Sequence, residues 1–294
     1  MNLLSANTAA RPLIIRDLPD LSVLASLCDH TDLWALPTEQ NSAYIVGFAA
    51  SRRCVEFALR LRYEVFNLEL HEGLSFSHIT GLDKDEFDDQ MTHLVVLERR
   101  THRIIGTYRL QTGWQALSSG GFYSAREYDL SGLQPLLNQI VECGRACIDQ
   151  NHRSITVLSL LWKGLAAFMR YHEHRWLFGC CSLTSQNADD GWRAMKTIRS
   201  QGYIHPTLYL PACPGFSCGP VSRENDPALG PAIKLPKLFA AYMRLGAQVI
   251  SEPALDRDFG TVDFLILYDV KKANLKNVLT GFLPQRLGEL GLDK

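Results

Sequence analysis

No two of the eight cysteines stand in a C-x-x-C spacing, no uncharged apolar run is long enough to span a bilayer, and neither sign of charge dominates. Without thiols at metal-ligand spacing, a zinc site is not expected. Adjacent Cys180 and Cys181, Cys143 and Cys147 at a strand end, and Cys213 and Cys218 in a Pro/Gly loop do not make a disulfide framework either. Reduced, mostly buried thiols follow, and with them a cytoplasmic location. The opening MNLLSANTAARPLIIRDLPD has no basic segment leading into a continuous apolar core, so a signal peptide is not expected. A transmembrane helix needs about 20 apolar residues. The formal net charge of −1 leaves no global field to draw the chain onto nucleic acid. Internal repeats and low-complexity tracts are missing as well.

The chain of 294 residues carries 46% hydrophobic and 21% charged residues, enough for one substantial core. Residues 1–40, interrupted by Pro12, Pro19 and Pro37, read as an N-terminal extension, and 41–294 as one domain with its own C-terminal segment. Ser42–Phe48 suits a first strand. Ser51 can cap a helix whose apolar positions Val55, Ala58, Leu61, Val65 and Phe66 recur at helical spacing. The charged stretch Glu69–Gln90 is too polar for core and long for a connector, which marks it as functional. HLVVLE (His93–Glu98) and RIIGTYRLQ (Arg103–Gln111) predict a hairpin. A strand at Gln139–Ala146, a long helix striped by Ile155, Leu158, Leu161, Leu165 and Phe168, and a strand at Trp176–Leu183 come next. A helix near Asp189–Arg199, a Pro-rich segment over 205–236, a helix at Leu238–Leu245 and strands near Val249 and Thr261–Tyr268 complete the order. The fold class is α/β (α+β), a mixed central sheet flanked by helices on both faces.

Four clusters carry chemistry: LRYEVFNLE (Leu61–Glu69), the acidic loop with D-E-F-D at Asp85–Asp88, GTYRL (Gly106–Leu110) and VECGRACID (Val141–Asp149). With these motifs the sequence resembles the hemolysin-like GNAT branch that contains ornithine-lipid N-acyltransferases. It is more distantly similar to acyl-homoserine-lactone synthases. The tail LPKLFAAYMRLGAQVISEPALDRDFGTVDFLILYDV (Leu235–Val270) resembles the closing segment of the ornithine-lipid branch. The likeness covers Tyr44 to Val270. It implies a GNAT fold and transfer of a 3-hydroxyacyl group from acyl carrier protein to the α-amine of ornithine, giving lyso-ornithine lipid. The implied partners are acyl carrier protein and the amino acid. No metal or bound cofactor is implied, and a peripheral contact with the inner membrane is left open.

Residue by residue, Glu142 lies beside apolar Ile140 and Val141, where a solvated carboxylate is not expected. A buried Glu with a raised pKa can take the proton that an ammonium must lose before its nitrogen attacks a thioester. The alternative is an ion pair with Arg145 or Arg109. Those two arginines read as organisers of a charge cluster with the acidic loop, or as clamps for a substrate carboxylate. Asp83, Asp85 and Asp88 would partner Arg62, Arg109 and Arg145, with Arg62 and Phe66 beside the amine site; one aspartate facing the side-chain ammonium of ornithine is the other reading. Backbone N–H groups near Cys143 and Gly144 would hold the oxyanion. An acyl-enzyme on Cys143 or Cys147 is disfavoured, because no nearby His activates either thiol. CIDQNHRSITVLSLLWKGL lacks the glycine-rich turn that wraps a coenzyme A pyrophosphate, which favours a carrier protein, with Arg153 and Lys163 meeting its acidic surface. Phe122, Tyr123, Tyr128, Trp162, Phe168 and Phe178 are core residues or lining of an acyl tunnel. Acylation of glycine, glutamine, lysine or an aromatic amino acid, autoinducer synthesis, and a non-catalytic carrier-binding module stand as alternatives.

Overall fold

A computed structural model describes residues 30–39 and 41–272. Among the described residues one sheet has nine strands: β1 (Leu33–Ala35), β2 (Tyr44–Ala49), β3 (Thr92–Glu98), β4 (Ile104–Thr112), β5 (Ile140–Ile148), β6 (Trp176–Leu183), β7 (Gln248–Val249), β8 (Ala254–Asp256) and β9 (Thr261–Asp269). The spatial order is β1-β2-β3-β4-β5-β6-β9-β7, with β8 also on β9. Every pairing is antiparallel except β5 with β6. The mixed sheet expected from the sequence is therefore present. It begins earlier than residue 41, because Leu33–Ala35 pairs with Gly47–Ala49 as an edge strand.

Alternation on β3 fixes which face each helix covers. Val95 and Leu97 join Ala58, Leu61 and Val65 on one side, where α1 (Arg52–Tyr63) lies. Leu94 and Val96 join Val157, Leu161 and Leu165 of α4 (Ile155–Tyr171) on the other. Ser51 caps α1 through the N–H of Cys54, and Ser154 caps α4 through that of Val157. Between them come α2 (Ser77–Thr80) and α3 (Gly113–Ser118), short helices that hydrophobic periodicity does not reveal. α5 (Ala188–Ser200) and α6 (Lys237–Arg244) extend the α4 face over β6 and β9. Gly164 lets α4 settle on β3: a Cβ there would sit 2.3 Å from the Leu94 side chain. No helix among the described residues is long and apolar enough to cross a membrane.

Two departures from regularity shape the site. After α1 the chain continues as a π-helix over Glu64–Glu69, a wide turn that carries Phe66. And β5 and β6 pair for only three residues, Ile140–Glu142 with Trp176–Phe178, then part. At the parting point the Cys143 carbonyl approaches Gly179 so closely that a Cβ would lie 2.0 Å from it.

Candidate active site

On the α1 face, three arginines and three aspartates close into a ring. Arg62 reaches Asp83 (2.7 Å) and Asp88 (2.6 Å), Arg109 reaches Asp88 (3.0 Å) and Asp85 (2.5 Å), and Arg145 reaches Asp85 (3.3 Å) and Asp83 (3.2 Å). Every aspartate is shared by two guanidiniums, and all six side chains are nearly or fully buried. Burial alone would raise Asp83 and Asp88, but the Arg62 guanidinium overrides it and holds both below the usual carboxylate range. Burial works against the charge of Arg62 as well, and the carboxylates of Asp83 and Asp88 more than restore it. Asp83, Asp85 and Asp88 thus partner the three arginines, as the sequence suggested, and their charge is spent inside the protein.

Arg145 enters this ring through a bulge. Opposite Tyr108 of β4, strand β5 inserts an extra residue: Arg109 pairs with Gly144 and Thr107 with Cys147, leaving Arg145 and Ala146 together across from one residue. Arg145 takes φ +51°, left-handed backbone that a non-glycine residue rarely adopts. Simple alternation from Glu142 would put Arg145 on the opposite face. The extra residue returns it to the face of Glu142 and Arg109.

Tyr123 sits between the two arginines, its ring 4.8 Å from the Arg145 guanidinium carbon and 5.1 Å from that of Arg109. It also accepts a hydrogen bond from Arg145 Nη1 at 3.2 Å. Phe259 covers the other side of Arg145, 4.2 Å away. Glu142 fixes this turn from below. Its carboxylate accepts the N–H groups of Tyr123 and Ser124, both at 2.8 Å, and the Ser124 hydroxyl. Among the described residues Glu142 forms no ion pair with Arg145 or Arg109. Burial raises its pKa, and the three donors only partly oppose that.

A cavity of about 660 Å³ passes between the parted strands. Its α1-side end is polar, lined by Glu72, Arg109, Tyr123, Glu142, Arg145 and Asp263. The α4-side end is apolar, with Trp162, Leu165, Ala166, Met169, Phe239 and Tyr242. Cys143 and Gly144 lie on its wall between the two. Gly144 faces open space, and Cys143 is kept protonated, its thiol pushed up to about 12 by burial and then by Glu142. Cys147 is raised by burial too. Neither thiol is poised as a nucleophile. A second cavity, of about 430 Å³, opens where α4 starts, lined by Phe66, Ala146, Arg153, Ser154 and Leu158.

Of the aromatics, Tyr123, Trp162 and Phe178 line the larger cavity. Phe122 and Tyr128 pack with Phe178 and Leu265 instead, and Phe168 packs against Phe48 with the rings tilted at 49°. Phe66 touches both cavities. Arg153 forms a bidentate pair with Glu69 at 2.6 and 2.8 Å, and the Lys163 ammonium donates to the Pro37 carbonyl. Both cations are therefore engaged within the chain, although both side chains remain exposed. Sequence reading missed Tyr123 as the organiser of the arginines, and it missed Glu127, Cys180 and Asp263, whose side-chain oxygen and sulfur atoms lie within 4.8 Å of one another. A signal for Asp263 was present: like Glu142, it is a carboxylate inside an apolar strand, TVDFLILY.

Residues 61–163, which carry the ring and β5, match the family model described as an acetyltransferase (GNAT) domain. The chain is 29% identical over 242 residues to the L-ornithine N(alpha)-acyltransferase of Rhodobacter capsulatus, covering 80% of this chain and 93% of that protein. It is 30% identical over 234 residues to the L-ornithine N(alpha)-acyltransferase of Agrobacterium fabrum, covering 76% and 79%. Among solved structures, the AHL synthase LasI aligns with a TM-score of 0.43 at 14% identity, over 84% of this chain and 100% of that one. With a GNAT domain at its centre, the chain belongs to the L-ornithine N(alpha)-acyltransferase family.

Proposed function

We propose that this protein transfers a 3-hydroxyacyl group from an acyl-carrier-protein thioester to the α-amine of ornithine, giving lyso-ornithine lipid. The observation that carries the reading is one continuous cavity with an apolar arm against α4 and α6 and a polar end at Glu142. An acyl chain suits the first and a charged amino acid the second. The ammonium gives a proton to Glu142, directly or through water, and burial makes this carboxylate a stronger base than an exposed one. The free nitrogen attacks the thioester carbonyl, and backbone N–H groups of β5 beyond Glu142, where β6 no longer pairs, receive the oxyanion. The C–S bond then breaks and the departing thiolate takes up a proton. Burial raises both β5 thiols, which disfavours an acyl-enzyme and supports direct transfer.

The second cavity supports a carrier protein as donor. It runs along the start of α4, where a pantetheine arm would enter, and the segment Asp149–Ser154 has no glycine with which to wrap a pyrophosphate. Arg153 at its rim is the proposed docking cation, with Lys163 further along α4. Because the product is amphiphilic, release at the surface of the inner membrane is part of the proposal. The test is thiol release from 3-hydroxyacyl carrier-protein and coenzyme A thioesters across ornithine, lysine, glutamine and glycine. Release that requires both the carrier thioester and ornithine is expected. Release with coenzyme A thioesters alone would overturn the donor assignment, and preference for another amino acid would overturn the acceptor.

A further inference from the structure

The ring neutralises three buried aspartates with three arginines, yet other buried carboxylates on the same face, Asp263 and Glu127 among them, have no ion-pair partner among the described residues. Asp263 of β9 and Glu127 are 4% and 1% exposed. Among the described residues, no Lys, Arg or His forms an ion pair with either, or with Glu72. Asp263 lines the polar end of the cavity and its Oδ1 is buried without a hydrogen-bond partner. Glu127 lies behind it, its carboxylate oxygens 3.9 and 4.0 Å from Cys180 Sγ. Glu72 lines the same cavity, and Asp256 adds a further negative charge from behind, although its Oδ1 already accepts the N–H groups of Asp258 and Phe259. Arg145 is the positive group that most relieves Glu127, and it is committed to Asp83, Asp85 and Tyr123.

We propose that Asp263, backed by Glu127, receives the side-chain ammonium of a diamino acid and so makes the site select a second positive charge. The inference rests on the N-acyltransferase reading above. Burying uncompensated carboxylates is costly, and the cost is met either by protons or by a bound cation. Without such a cation protons meet part of it: burial and then the charge of Asp263 raise Glu127 well above its ordinary value, while burial and the charge of Asp256, opposed by hydrogen bonds from Ser182, Thr261 and Glu127, bring Asp263 to about 6. An ammonium held against Asp263 replaces that arrangement with charge-assisted hydrogen bonds. Position agrees with the size of the ligand. Asp263 itself pairs with Ser182, but its carboxylate reaches back to within 4.8 Å of the Cys180 sulfur, and Cys180 lies two residues from Phe178, the register partner of Glu142, on the same face of β6. That is a step of ~7 Å along the strand, a span that a three-methylene side chain can bridge from an α-amine at Glu142. Cys180, with its thiol raised by burial, is not a ready metal ligand, so an ammonium is favoured over a divalent ion.

The test compares ornithine with 2-aminopentanoate, which has the same chain without the terminal amine, in the wild type, Asp263→Asn and Glu127→Gln. Binding is measured by calorimetry and transfer as kcat/KM. Wild type should favour ornithine, and Asp263→Asn should lose that preference by about 10- to 100-fold, the scale of a lost charged hydrogen bond. The loss should fall mainly on KM for ornithine, with 2-aminopentanoate little changed. Glu127→Gln should show the same change more weakly, and serves alone if Asp263→Asn does not fold. Equal loss for both amines, or undiminished preference, would overturn the subsite; so would tight zinc binding that depends on Asp263 while ornithine preference stays intact. A wild type that binds ornithine selectively through Asp263 but transfers no acyl group would uphold the subsite and sink the acyltransferase reading instead.

Discussion

Glu142 is pulled in two directions. Three donors favour its charged form, and complete burial disfavours it more strongly, so its pKa ends above the usual carboxylate range. Since only the deprotonated form accepts a proton, the rate should rise with pH through that raised value. Glu142→Gln keeps the shape, but its amide must place an NH₂ against one of the donors at Tyr123 and Ser124. Two effects are therefore expected: loss of the base, worth ~10²–10⁴-fold, and a looser Tyr123 turn. The pH profile separates them. Loss of the base leaves only the amine's own deprotonation, so the deficit should shrink as pH rises. A deficit that is constant across pH would assign Glu142 to holding the turn and remove it from proton transfer.

At the level of elements, the strands and long helices were legible because apolar residues recur at spacings of two and of three to four, in β3 and α4 most plainly. The bulge was not. Left-handed backbone is usually announced by glycine or asparagine, and here the residue at φ +51° is Arg145. It is held there by contacts from the acidic loop, Tyr123 and Phe259, all distant in sequence. Nor could Gln201–Pro236 or residues 113–139 be assigned from pattern, since short helices and turns there follow tertiary contacts. The same limit hid the cavity, which exists because β5 and β6 stop pairing after three residues. Its apolar arm is set by α4, where Trp162, Leu165, Ala166 and Met169 present one side to it. Ala166→Phe should fill part of that arm. Turnover with long-chain thioesters should fall by about tenfold or more relative to short ones, a methylene in an apolar pocket being worth ~1–3 kcal/mol. Measuring kcat/KM over a series of acyl lengths checks this; an equal loss at every length would mean that the acyl chain lies elsewhere.

Over the whole molecule, the formal charge is close to balanced, and so is the buried ring of three arginines and three aspartates. Balance of this kind does not by itself stabilise, because each charge has left water, but it makes stability sensitive to any proton that unbalances it. His93 sits against the ring on β3, its Nε2 3.0 Å from the Asp88 carbonyl. Burial lowers its pKa to about 4, the Asp88 carboxylate opposing only in part. In the unfolded chain it titrates near 6.5. A base whose pKa is depressed on folding contributes its full stability above the unfolded value. As pH falls from 6.5 toward 4 the unfolded chain gains a proton that the native protein refuses, and stability drops. The scale is about 3 kcal/mol across that window. Asp83 and Asp88, held low by Arg62, add a further loss only below the ordinary aspartate value of 3.8. Asp263, Glu127 and Glu142, raised by burial, take up protons in the native state over the same range and oppose this loss, so the His93 contribution is read as the difference between two proteins in chemical denaturation at pH 7, 5.5 and 4.5. His93→Gln, which offers an amide donor to the same carbonyl and does not titrate, should gain stability relative to the wild type as pH falls through that window and keep the steep fall below pH 4. Parallel decline in both proteins would mean that the acid sensitivity arises outside the ring.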